Sequence, residues 1–313
     1  MIVVTVPEVH VNSLADVAGL DPLRLRTPSR VRTAVLGGVR LSYVADGWIQ
    51  LNPRVWFADS GPDFWDRHRE YLDDEGFLRV GAGGLLVERD GRALLIDTGF
   101  GPCEVATDPA QPQVGAASGG RLLASLAALG RAPADVDTVA ITHMHRDHIG
   151  WVAAPAPDTG VPPFAHARAV LTKAEWDHGC SRREAPFPET VVALEPRLDL
   201  ADDGDEVFPG VRLLATPGHT PGHAAYEITA GEETVIAFGD LFHSPLQIGH
   251  PEWSPPVDVD PETTARHRRA LVDRLATPGT YGFGIHFADV AFGRVRQDEG
   301  GRRAWQPVVT EAR

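Results

Sequence analysis

Short apolar runs separated by turn residues organise the chain from residue 39 onward. Runs at 39–44, 84–88 and 93–96 read as strands, the last two joined across Arg89-Asp90-Gly91-Arg92, where Asp-Gly supplies the positive φ angles of a tight hairpin turn. Further strands are expected at 139–142, 168–172, 211–215, 224–228 and 234–238, with Gly231 turning the chain between the last two. Leucines at 122, 123, 126 and 129 have helical spacing, and Gly130 follows where a helix would stop. Asp260 and Pro261 cap and open another helix running to about Leu275. Residues 1–38, with prolines at 7, 22 and 28, lack this pattern and read as an irregular N-terminal arm. Residues 39–313 then form one domain in which strands outnumber helices, an α+β class.

Composition narrows what such a domain meets. Acidic residues number 43 against 29 basic, a net charge of −14, which repels nucleic-acid phosphates and anionic lipid surfaces. No stretch approaches 18 uninterrupted apolar residues, so no membrane span is expected. Cys103 and Cys180 are too few and too scattered for a disulfide framework or a four-cysteine zinc site. With no basic region or small-residue cleavage site near residue 1, a cytoplasmic location is expected, and the arm is compatible with a homodimer.

The chemistry concentrates in Thr142-His143-Met144-His145-Arg146-Asp147-His148-Ile149-Gly150, directly after an expected buried strand. A His-x-His-x-Asp-His string arises by chance in about two chains per thousand of this composition. Residues two apart at an extended strand end point to one side, so His143 and His145 share a face, while Asp147 and His148 follow where the chain turns toward a helix and can face a second position. Imidazole and carboxylate suit zinc, with iron, manganese or cobalt also accommodated. One segment cannot close two coordination spheres, and further donors do follow other apolar runs: Thr216 to His223 contains two histidines, Gly239 precedes Asp240, and 281–285 leads into His286.

Together with Ile96-Asp97-Thr98-Gly99, these motifs resemble the metallo-β-lactamase fold superfamily over roughly residues 40–290. The resemblance implies a four-layer αββα sandwich, two mixed β-sheets flanked by helices. It implies one divalent metal on His143, His145 and His223, a second on Asp147, His148 and His286, and Asp240 bridging. A hydroxide bridging two divalent ions, zinc first among them, would then attack a lactone or ester carbonyl. The presence of both His148 and Asp240 resembles the lactonase, glyoxalase II, phosphotriesterase and RNase Z branches more than true β-lactamases. Ala45-Asp46-Gly47, Asn52-Pro53 and Gly239-Asp240-Leu241-Phe242-His243 resemble the methyl parathion hydrolase-like and dinuclear lactonase group most, so aryl phosphotriesters and thioesters stand as alternative substrates. A mononuclear iron oxidoreductase resembling persulfide dioxygenases is the reading from a different class, and a non-catalytic scaffold a third. Catalytic duty falls to Asp147, Asp240 and His243, the last as a proton donor or supporting group, while Asp97 is expected to hold the loop beneath the site and His219 to shape the turn before His223.

Aromatics are dense at 48–65 and in the loop after Asp240. Packing alone accounts for most aromatic side chains. The functional reading makes Trp48, Trp56, Phe57, Phe242, Leu246 and Trp253 an apolar pocket over the metals for a small apolar or aromatic substrate.

Overall fold

The computed structural model describes residues 14–61, 63–184, 186–297 and 300–312. Among these, the first sheet contains β1 (Arg32–Leu36), β2 (Val39–Leu51), β3 (Leu78–Arg89), β4 (Arg92–Ile96), β5 (Cys103–Val105), β6 (Val114–Gly119), β7 (Thr138–Ala140), β8 (Arg168–Leu171), β9 (Leu198–Leu200) and the terminal β17 (Glu311–Ala312). The second contains β10 (Glu206–Phe208), β11 (Val211–Ala215), β12 (Ala224–Ala230), β13 (Glu233–Ala237), β14 (Thr280–Phe283), β15 (Phe292–Gln297) and β16 (Arg303–Pro307), hydrogen-bonded in that order. The α-helices are α1 (Pro53–Trp56), α2 (Phe64–Arg67), α3 (Leu122–Ala128), α4 (Arg146–Ala153), α5 (Lys173–Ser181), α6 (Phe187–Leu194) and α7 (Pro261–Leu275). None is long and apolar enough to cross a membrane.

Alternation along the strands builds the layers. In β3 and β4, Leu85, Leu94 and Ile96 face Tyr226, Ile228, Val235 and Phe283 of the other sheet, while Leu86 and Leu95 turn the opposite way. That second face packs on Leu122 and Leu126 of α3, Ile149 and Val152 of α4 and Leu194 of α6. Across the molecule, Ile236 of β13 meets Leu271, Val272 and Leu275 of α7. Both faces of each central strand are therefore apolar, and the result is helix, sheet, sheet, helix, the four-layer αββα order that the resemblance implies.

Direction then gathers the loops. β4, β7 and β8 run parallel, as do β13 and β14, and two antiparallel steps make β11 parallel to β13. The segments leaving β4, β7, β11, β13 and β14 carry Asp97, His143–His148, His219, Asp240 and His286, so each donor leaves the C-terminal end of its strand.

The turn at Asp90 (φ 50°) and Gly91 (φ 75°) is the expected hairpin, and Asp260 caps α7 by accepting from the Thr263 N–H at 3.0 Å. The expected irregular arm differs: β1 pairs in register with β2 through a Gly37-Gly38 turn, and Ala34 and Leu36 enter the inter-sheet core. Apolar residues two apart before a Gly-Gly pair are a hairpin signal that the nearby prolines obscured, and the division expected after residue 38 falls inside this hairpin. Arg24 and Arg32 both bind Asp289, which ties the segment to the second sheet's loops. Residues 1–13 of the expected arm lie outside the described residues.

Candidate metal centre

The structure brings His143, His145, Asp147, His148, Asp240, His243 and His286 to one spot, together with His219. Asp240 divides the group. Its Oδ2 lies 3.6 Å from His143 Nε2 and 3.3 Å from His219 Nε2, and His145 Nδ1 lies 2.9 and 3.0 Å from those two nitrogens. Its Oδ1 lies 3.1 Å from His148 Nε2 and 3.0 Å from His286 Nε2, each of which is 3.6 Å from Asp147 Oδ2.

Four of the imidazoles are held from behind, and the hold decides which nitrogen faces inward. Burial makes an unpaired N–H costly, and four of the rings, His143, His148, His219 and His286, find an acceptor on the protein side. His148 Nδ1 donates to Asp97 Oδ2 at 2.8 Å, and His286 Nδ1 to the Gly81 carbonyl at 2.7 Å. His219 Nδ1 donates to Asp258 Oδ1 at 2.9 Å, and Asp258 is in turn gripped by the fully buried Arg268 at 2.7 Å. Thr142 Oγ1 gives its proton to Asp97 Oδ2 at 2.8 Å and accepts from His143 Nδ1 at 3.1 Å. In all four rings the Nε2 lone pair is left pointing at Asp240. Asp97, which adopts φ 63°, a conformation aspartate tolerates better than most residues, thus anchors two donors and is not itself one.

His223 is the correction. Its Nε2 accepts from the Asp240 backbone N–H at 3.1 Å and its Nδ1 is 2.8 Å from Thr216 Oγ1, so both nitrogens are engaged by protein and neither is free for a cation. Nor does it join any of the donor groups that could hold a metal ion. The physical reason is its backbone: the His223 carbonyl accepts from Thr216 N–H at the start of the β11–β12 ladder, which fixes the ring beneath the loop. His219, four residues earlier in the free part of that loop, reaches the centre. A signal existed, because the other donors follow an apolar strand, as His219 follows 211–215, whereas His223 precedes one. Gly239, at φ 51°, closes the arrangement, since a Cβ there would stand 2.7 Å from His223 Nε2.

Two further supports escaped the sequence reading. Buried Glu175 accepts from Met144 N–H, Thr220 Oγ1 and Gly222 N–H at 2.7, 2.6 and 3.2 Å, and so braces the His143–His145 segment against the His219 loop. Asp46 accepts from the N–H groups of Phe100, Gly101, Gly120 and Leu122 and from Trp151 Nε1 at 2.8–3.1 Å; burial pushes its carboxyl up, and these donors oppose that.

The electrostatics call for cations. Burial opposes charge on His148, yet Asp240, Asp147 and Asp97 outweigh it and hold the ring well above the ordinary histidine value. His219 rises to about 9 against burial because Asp240 and Asp258 flank it, and His286 rises by the same kind of balance. Burial pushes His143 and His145 well down, with neighbouring imidazoles adding to it. Asp240 lies well below the carboxylate range, since His148, His286 and His143 overcome its burial. Positive charge is demanded at the centre, but adjacent rings cannot all be protonated. His148 Nε2 and Asp240 Oδ1 are moreover buried without a hydrogen-bond partner. Donors 2.0–2.1 Å from a tetrahedral ion stand about 3.3 Å apart. The separations of 2.9–3.6 Å match that, and the donor set fits divalent metal ions.

A cavity of about 420 Å³ opens over the centre. Of the six expected pocket residues only Trp56 lines it. Phe57 and Trp253 are buried in an aromatic cluster with Trp65, Phe242 packs on Phe238, Trp48 lies under Arg79, and Leu246 faces a neighbouring cavity. Rings this large are drawn into whichever core is nearest. Ile49, Leu51, Val80, Phe187 and Val257 supply the apolar lining instead. His243 also lines it, with Nε2 3.2 Å from Asp240 Oδ2 and Nδ1 buried and unpartnered; burial lowers it to about 4.

Residues 84–280 match the profile of the Metallo-beta-lactamase superfamily. Metallo-beta-lactamase domain-containing protein 1 of Xenopus laevis is 31% identical over 236 residues, 74% of this chain and 86% of that one. An N-acyl homoserine lactonase of Bacillus cereus is 28% identical over 195 residues, 58% of this chain and 73% of that one. Among solved structures, AidC, a dizinc quorum-quenching lactonase in complex with a product N-hexanoyl-L-homoserine, superposes with a TM-score of 0.73 at 23% identity, over 89% of this chain and 97% of that one.

Proposed function

The chain belongs to the metallo-β-lactamase superfamily, and from that premise we propose that this metal-dependent hydrolase is dinuclear and opens the carbonyl of a small lactone or ester. The observation that carries the reading is the division of the Asp240 carboxylate between two sets of donors. His143, His145 and His219 would hold one ion and Asp147, His148 and His286 the other, with Asp240 serving both. Zinc is the favoured ion on donor chemistry. Bound there, the two ions would supply an acidified water and a Lewis acid for the substrate oxygen.

The chain's own groups do the rest. Hydrogen bonds from behind preset the rings of His143, His148, His219 and His286, which need not reorganise when substrate arrives. The apolar lining accepts an acyl or aromatic group and excludes water around the carbonyl. His243, buried but lining the cavity and neutral at physiological pH, is placed to accept a proton or to hold one by a hydrogen bond near Asp240, which argues against its expected role as a proton donor. A fully furnished second triad favours this over the mononuclear iron oxidoreductase, which would need only part of the set, and the B. cereus lactonase favours lactones over phosphotriesters.

The test is a zinc-reconstituted preparation assayed on N-acyl homoserine lactones, aryl esters, thioesters and aryl phosphotriesters, with bound metal counted. Two equivalents of metal and turnover of lactones or esters are expected. One equivalent of iron with oxygen uptake, or activity on thioesters alone, would displace the reading. His243→Ala should lower turnover about a hundredfold with both ions retained; unaltered turnover removes His243 from the reaction.

A further inference from the structure

The cavity over the metal centre carries a feature that a purely apolar substrate would leave unused. Arg182, at the C-terminal end of α5, and Arg146, the first residue of α4, both line it beside Phe187 and Gln111. The Arg182 guanidinium carbon sits over the Phe187 ring, 4.0 Å from its centroid. Elsewhere in this acidic chain arginines such as Arg168, Arg212, Arg268 and Arg294 bind carboxylates. Among the described residues neither Arg182 nor Arg146 has such a partner. The two carboxylates of the cavity, Asp147 and Asp240, are occupied with the histidines.

A guanidinium held over an aromatic ring by a cation–π contact loses part of its side-chain freedom yet keeps N–H groups that can receive a carboxylate through two parallel hydrogen bonds. A cationic edge inside a low-dielectric cleft also draws in an anion that the surface charge of −14 would otherwise repel. The remaining lining, Ile49, Leu51, Trp56 and Val80, is apolar. The cavity thus offers three environments: a metal centre for a carbonyl, an aliphatic and aromatic stretch, and a guanidinium pair.

Resting on the hydrolase reading above, we propose that the site selects an acyl ester or lactone that bears a carboxylate away from the reacting carbonyl, held by Arg182 with Arg146 adding to the local charge. The apolar spacer lies along Ile49, Leu51 and Val80. Arg182 is a specificity-determining residue in this arrangement and takes no part in bond cleavage.

The test uses the zinc-loaded protein and matched substrates, 4-nitrophenyl esters of glutaric and adipic acid with one free carboxylate against 4-nitrophenyl butyrate and valerate. We expect kcat/KM to favour the carboxylated esters at least tenfold, mainly through KM, and the advantage to shrink as salt is raised. In Arg182→Met, which keeps the stem and removes the charge, the ratio falls toward one; Arg182→Lys recovers part of it. A ratio near one in the native protein, or one that survives Arg182→Met, overturns the proposal. A parallel binding measurement needs no turnover: glutaranilic acid should bind at least tenfold more tightly than butyranilide, and lose that advantage in Arg182→Met. If neither ester is hydrolysed but glutaranilic acid still binds through Arg182, the hydrolase reading fails and the carboxylate site stands; equal hydrolysis of both ester types does the reverse.

Discussion

The floor and the wall of the same cavity are built on different physical terms. On the floor, the imidazoles of His143, His148, His219 and His286 each have one nitrogen committed to a protein acceptor and the other aimed inward, so position and tautomer are set together. The wall is made of Ile49, Leu51, Val80, Trp56 and Val257, held by contact alone, with two arginines at the side. A hydrogen-bonded donor tolerates almost no displacement, whereas an apolar surface accepts many shapes at similar cost. The floor thereby dictates which reaction can occur and the wall which molecule undergoes it. This is how one fold can host many substrates around one chemistry.

The sharpest way to break the distinction is at Asp240. Asp240→Asn keeps the shape but removes the charge shared by both donor sets, and turnover should fall by roughly a thousandfold or more with loss of bound metal, read by kinetics and elemental analysis. Retention of both ions and of activity would mean that Asp240 only fills space. Next comes the pair of histidines four residues apart. His219→Ala should release one equivalent of metal, while His223→Ala should keep two and cost about 1–3 kcal/mol of stability, because it strands the Asp240 N–H and Thr216 hydroxyl. The opposite pattern of metal loss would restore His223 as the donor.

A smaller effect belongs to the layer behind the floor. Asp97→Asn leaves His148 without its anionic acceptor, and metal affinity should weaken by about 10- to 100-fold with the fold intact, measurable by competition with a chromogenic chelator. An unchanged affinity would show that Asp97 serves only the turn it sits in. Smallest of all is the wall: Ile49→Val removes one methylene, worth about 0.8 kcal/mol, and should raise KM for a long acyl substrate about fourfold with a lesser change in kcat. A loss on the scale of the Asp97 change would erase the difference between floor and wall.

How far the sequence could be read differs in the same way across the molecule. The hairpin at Asp90-Gly91, the helix capped by Asp260 and the strand at 211–215 are local features, each set by turn residues and apolar period, and they stand where the pattern places them. Most of the donor group was equally legible, because His143, His145, Asp147 and His148 crowd one segment whose chance occurrence is small. Asp258, Arg268 and Glu175 were not, since nothing near them in the chain announces that they reach His219 or brace its loop. Nor could aromatic density tell a pocket from a core: Phe57, Trp65 and Trp253 satisfy one another and leave only Trp56 to the cavity.

The amino-acid sequence by itself determined the strands and helices of an α+β domain and the donor types that a divalent ion would meet, because period-two burial and short-range motifs are properties of neighbouring residues, while the αββα layering came through the resemblance those motifs carry. Which of His219 and His223 faces the centre, which nitrogen each ring presents, and that Arg146 and Arg182 have no carboxylate partner among the described residues were decided only in the tertiary structure. For His219, His148 and His286 those outcomes depend on acceptors 39, 51 and 205 residues away in the chain, and a ring turns toward whichever partner the folded chain puts within hydrogen-bond reach.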